Sequence, residues 1–138
     1  MYWPREHITQ YRYLNPPTDV FSIAAVFYKM LTGDYVRPGL SVMLKQFRER
    51  NQHPGLPHFT RVIMSEKVRP IRALLPALPA PVADVLDKAL CEPELPRLAK
   101  EDDAAFAART LVELKARRFP EARAFRDSLK KAIEASGV

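Results

Sequence analysis

Few side chains in this sequence are placed for catalysis, and each of them also has a structural use. Glu101, Asp102 and Asp103 stand side by side and could form a paired-carboxylate site for general acid–base work. They also open a helical segment, where negative charge complements the helix dipole, and that use requires fewer assumptions. Ser22 could act as a nucleophile only beside a base, and no histidine is near it in sequence. His7, His53 and His58 lack the close spacing and companions of a metal-ligand set. Gly33, Gly39, Gly55 and Gly137 are too dispersed to build a phosphate-cradling loop. Cys91 is the sole cysteine, which excludes an internal disulfide and a cysteine-based metal cage. Beside an amphipathic helix it reads as a buried, unreactive thiol. Tyr2, Trp3, Tyr11 and Tyr13 crowd the start of the chain, as peptide-contact surface or as packing.

The elements that would position these groups are helices. Asp19 to Gly33 is a mostly apolar run whose apolar residues fall on every side of a helix, and such a helix belongs in the interior. Thr18 or Asp19 can cap its first turn, and Gly33 suits a left-handed stop. A second helix is expected near 40–50. A third starts at Pro81, with Val82, Val85, Leu86, Ala89 and Leu90 on one stripe. A fourth covers roughly 101–116, and a fifth starts at Pro120 and buries Ala122, Phe125, Leu129, Ala132 and Ile133. Residues 4–9 fit a short helical turn, and 58–66 is ambiguous, with a further helix as one reading. Thirteen prolines against four glycines describe short helices joined by stiff extended connectors. Little alternates with period two, so the expected class is all-α, in one domain over residues 1–138.

An apolar fraction of 47% fits a folded chain, and the formal charge is +6. Arg48, Arg50, Arg61, Lys67, Arg69 and Arg72 form one basic stretch; Lys115, Arg117, Arg118, Arg123 and Arg126 form another. A solvated surface explains them best, and without interleaved aromatics a nucleic-acid platform is the least favoured reading. No uninterrupted apolar run could span a bilayer and no leader is seen, so a cytoplasmic location is expected.

The central run carries a resemblance. Asp19-Val-Phe-Ser-Ile-Ala, the apolar stretch through Tyr28, and Met30-Leu-Thr-Gly33 resemble the central helix of the large lobe of eukaryotic-like serine/threonine protein kinases, bacterial members included. Ala24 stands where that family usually has glycine. Leu78-Pro-Ala-Pro through Ala89-Leu90, then Glu92-Pro93, resemble the next-to-last helix and its acidic-Pro turn. Arg118-Phe-Pro-Glu-Ala122 resembles the closing segment, and Trp3-Pro-Arg-Glu-His7 resembles the end of the activation segment. Either Glu6 or Arg5 takes the glutamate position there, depending on register. About twenty residues, 95–116, have no family counterpart and read as an inserted helix.

The resemblance implies the C-terminal half of a kinase large lobe, helices packed around a buried helix at 19–32. The parent family transfers phosphate from ATP with magnesium to protein serine or threonine. This chain has no glycine-rich loop, His-Arg-Asp or Asp-Phe-Gly, so no cofactor is expected on it and it is expected to be inactive alone. The resemblance gives scaffold roles to Asp19, which in the family steadies the catalytic loop, and to Glu6 and Arg118, expected as a buried pair. A stand-alone, degenerate interaction module, with helix 40–50 and the insertion as contact surfaces, is the alternative. The expected partners are the missing kinase elements or another protein. A central helix apolar all round leaves a face to cover: the insertion could fold over it, or two copies could associate, and self-association is the favoured outcome.

Overall fold

The computed structural model describes residues 2–137, and among them every regular element is helical. The elements are α1 (Arg5–Thr9), α2 (Pro16–Thr32), α3 (Pro38–Glu49), α4 (Leu56–Ser65), α5 (Ala80–Ala89), α6 (Asp103–Arg117) and α7 (Ala122–Ala135). Short 3-10 turns occupy Tyr11–Tyr13 and Ile71–Ala73.

Proline and glycine set several of the boundaries. Pro16 and Pro17 occupy the first turn of α2, where a missing N–H costs nothing, so the helix begins three residues before Asp19. The expectation that Thr18 or Asp19 caps it is corrected. Asn15 is the cap residue and makes no side-chain cap bond, while Thr18 is buried inside the helix. Gly33 ends α2 at φ +76, its N–H donating to the Lys29 carbonyl, and the Lys29 ammonium takes the Gly33 carbonyl at 2.7 Å. α6 starts on a side-chain cap, with Asp102 accepting from the Ala105 N–H at 2.7 Å. Its acidic start and basic Lys115 and Arg117 end follow the dipole. α7 begins at Ala122, not at Pro120, with Glu121 as its cap residue. The ambiguous stretch 58–66 is helical as part of α4.

The core is a packed trio of α2, α5 and α7. α2 contributes Val20, Phe21, Ala24, Ala25 and Tyr28; α5 contributes Val82, Ala83, Leu86 and Ala89; α7 contributes Phe125 and Ala132. Small residues at 24, 25, 83, 89 and 132 let the three backbones come close, and Phe21, Leu86 and Phe125 fill the space between. α3 and α4 form a lateral pair that buries Leu40, Met43 and Ile63. α6 touches α2, and its Thr110 hydroxyl accepts from Gln10 at 3.1 Å.

The central helix is not buried all round. Val20, Phe21, Ala24 and Tyr28 are sealed, whereas Ile23, Val26 and Phe27 are over a third exposed and Met30 is 74% exposed. The inserted helix does not cover that face; it packs beside residues 5–10 and 92–95 instead. Among the described residues no helix is long and apolar enough to cross a membrane.

Candidate functional site

Buried charge marks the most organised region. Arg118 leaves the end of α6 fully buried, and its Nη1 meets Glu6 Oε1 of α1 at 2.6 Å, across 112 residues of sequence. The same nitrogen donates to the Pro17 carbonyl at 2.9 Å, and Nε and Nη2 donate to the Cys91 carbonyl at 3.0 and 2.6 Å. One guanidinium thus ties together α1, the start of α2 and the end of α5. The Thr18 hydroxyl lies 3.4 Å from the same Glu6 oxygen. Of the two registers the sequence left open, the structure turns Glu6 inward. Arg5 does different work: its Nε and Nη2 donate to the Ile63 and Glu66 carbonyls at 3.2 and 2.8 Å, closing the end of α4.

A second buried pair lies alongside, and sequence reasoning missed it. Arg37, 1% exposed, is paired with Glu92 and donates to the Glu66 and Trp3 carbonyls at 3.2 and 3.4 Å. Glu92 also accepts from the Arg5 N–H at 2.8 Å. Burial pushes the Glu92 carboxyl up against the opposing pull of Arg37, and burial likewise pushes Arg37 down. The Arg37 and Arg118 guanidinium carbons lie 5.7 and 5.1 Å from the centre of the Phe21 ring, within cation–π range. Two arginines, two glutamates and one phenylalanine therefore join five chain segments: α1, α2, the start of α3, the stretch after α5 and the end of α6. The only sequence signal for Arg37 was a cation in an otherwise apolar Tyr-Val-Arg-Pro context.

A third polar cluster closes the end of α2. Asp34 holds Arg69 at 2.9 Å, accepts from the Tyr35 N–H at 2.7 Å and takes the Ser41 hydroxyl. Arg69 also reaches the Tyr28 hydroxyl at 3.3 Å. Burial raises the Asp34 carboxyl, but the bonds from Ser41, Arg69 and the Tyr35 amide outweigh it and hold the group below the ordinary carboxylate range. Burial raises the Tyr28 phenol against the contrary influence of Arg69. Arg69, counted in sequence as basic surface, is thus a structural cation, as is Arg118, which the basic stretch includes but the resemblance paired with Glu6.

Asp19 sits in the first turn of α2 with its side chain exposed, and it joins no ion pair among the described residues. It is not brought to Glu6 and Arg118 by any bond. Its carboxylate complements the positive end of α2 and is free to accept from outside. Ser22 lines a shallow hollow with Tyr2, Trp3, Ile23 and Val26, and no base is among its neighbours there. His7 stacks on Trp3 with ring centres 4.2 Å apart, and His58 Nδ1 accepts from the Gly55 N–H at 3.0 Å. Among the described residues no three His, Cys, Asp or Glu side chains gather as a metal-ligating group. The Glu101-Asp102-Asp103 carboxylates are all in local use: Glu101 with Arg109, Asp102 as the α6 cap and Asp103 with Arg97. Cys91 is half-buried rather than fully enclosed.

What the arrangement can do chemically is hold segments together and present an uncovered helix. Comparison with protein-family models, curated proteins and solved structures finds no significant match to this chain.

Proposed function

We propose that this chain is a scaffold piece of a serine/threonine protein kinase large lobe, acting on the substrate side and completed by other protein elements. The observation that carries the reading is the Glu6–Arg118 pair. The resemblance named those two residues as partners from opposite ends of the sequence, and they lie 2.6 Å apart, buried against the central helix. The exposed Asp19 carboxylate at the start of α2 suits a group waiting for backbone donors supplied from elsewhere. The uncovered side of α2, with Val26 and Met30, is the surface on which the rest of the lobe, or a second copy of the chain, would sit. ATP, magnesium and the catalytic groups belong to the complementary part, so the chain alone transfers no phosphate.

The test is the gene product read and expressed with its upstream coding sequence. A glycine-rich loop, His-Arg-Asp and Asp-Phe-Gly upstream, with ATP-dependent phosphorylation of a serine/threonine protein substrate, support the reading. An upstream sequence lacking them, with no phosphotransfer, overturns it. The second reading, a stand-alone interaction module, draws on exposed apolar side chains beyond α2, Val42 on α3 and Val112 on α6, which are 56% and 67% exposed. Light scattering at tens of micromolar tests the self-association expected here: a monomer excludes it.

A further inference from the structure

Between α2 and α7 runs an open groove of about 720 Å³. Its floor is apolar: Ile23 and Phe27 from α2, and Phe125, Leu129 and Ile133 from α7. The Phe27 and Phe125 rings, both lining it, meet edge to face at 6.5 Å. Along α7 the floor residues 122, 129 and 133 share one side of the helix, and 123, 126, 130 and 134 follow at helical spacing on the adjoining side. That adjoining stripe reads Arg123, Arg126, Lys130 and Glu134, all exposed, all lining the groove. Three cations therefore stand against one anion on a single rim. Arg126 shares its charge with Asp127, whereas Arg123 and Lys130 join no ion pair among the described residues.

We propose that this groove docks an amphipathic α-helix of a partner protein whose apolar stripe is flanked by acidic residues. The shape fits: the twelve residues from Ala122 to Ile133 span about 16 Å, room for three turns of a helix laid alongside. The chemistry fits: apolar anchors at i, i+3, i+4 and i+7 enter a greasy trough, and carboxylates on one flank meet Arg123 and Lys130. A second copy of this chain suits the trough poorly, since its formal charge of +6 brings cations to a cationic rim. The inference deepens the scaffold reading by naming what covers one part of the bare face, and it rests on that reading only for the expectation of a covering element. The two fail separately, because the upstream catalytic motifs have no bearing on whether this groove binds a helix.

The probe is a blocked synthetic peptide of about fifteen residues with leucines at i, i+3, i+4 and i+7 and glutamates on the flanks. Its counterpart carries lysines at the same flanking positions. Isothermal titration against the whole chain, with amide shifts followed by NMR, should show the glutamate peptide binding at least about tenfold tighter than the lysine peptide, with weakening as salt rises. Shifts should centre on α2 around Ile23 and Phe27 and on α7. The double substitution Arg123→Glu with Lys130→Glu, both exposed and free of ion pairs within the fold, should reverse the order of the two peptides. Ile133→Asp should weaken both. Equal affinity for the two peptides, no saturable binding below millimolar concentration, an unchanged order in the double variant, or a dimer that closes the groove would each overturn the proposal.

Discussion

Arg118 is the residue on which most of the chain's distant parts depend. Its guanidinium serves Glu6, Pro17 and Cys91 at once, from a position with no exposed side-chain surface. Arg118→Ala should cost about 3–5 kcal/mol, because it leaves the Glu6 carboxylate and two carbonyls buried without partners. Urea denaturation checks this. Arg118→Lys should recover only part of the loss, since one ammonium cannot reproduce the planar fork. Asp34 supplies a pH test. Its folded pKa is depressed, so its contribution is present above the ordinary carboxylate value of 3.8 and is lost as pH falls through the lower folded value. Asp34→Asn should lower the melting midpoint at neutral pH and flatten the part of the acid limb that lies below about pH 4. Thermal melts at stepped pH would read both. An unchanged acid limb means the Asp34 cluster contributes nothing to folding.

At the scale of elements, α3 is tied to the chain by its first turn. The Gly39 N–H donates to Glu66 Oε2 at 2.8 Å, so a carboxylate beyond the end of α4 caps the start of α3. A Cβ at position 39 would overlap that carboxylate. Glu66 ends in a flexible side chain and can swing away, so Gly39→Ala should not prevent folding. It should forfeit the cap, at about 1–2 kcal/mol, with faster amide exchange confined to α3 and its junction with α4. Exchange that quickens uniformly across the chain would contradict this local role. α2 shows a different balance. Its buried side meets α5 and α7 through small residues, so Ala24→Leu would overpack the trio and destabilise it by about 1–3 kcal/mol.

The whole molecule is a helical body with one sealed side of its central helix and one open side. A free-standing domain this small would normally bury Ile23, Val26, Phe27 and Met30, and here they face outward. Val26→Lys combined with Met30→Lys should therefore leave the unfolding free energy within about 1 kcal/mol of the parent, since neither side chain is sealed in the core. If copies associate through this side, the same double variant should lower the apparent mass in light scattering. A destabilisation of several kcal/mol would show that the open side is not open in solution.

How much of this was legible in sequence follows from the range of each interaction. The helices, their proline-rich joins, the Gly33 stop and the polarity of α6 are local, since they depend on residues three or four apart or on a single backbone dihedral. Periodicity therefore placed α2, α3, α5, α6 and α7 to within a few residues, while the stretch that became α4 stayed ambiguous. The buried charges are different. Composition and periodicity do not distinguish Arg118 from Arg117, and only the family resemblance singled out Arg118, yet one is sealed in the core and the other pairs with Glu113 on the surface. Arg37 and Glu92 lie 55 residues apart, and neither announces the other. All-round hydrophobicity also could not say which side of α2 would stay bare. Only the packing of α5 and α7, and the placement of α6 elsewhere, decided that, because burial is a property of what arrives from the rest of the chain.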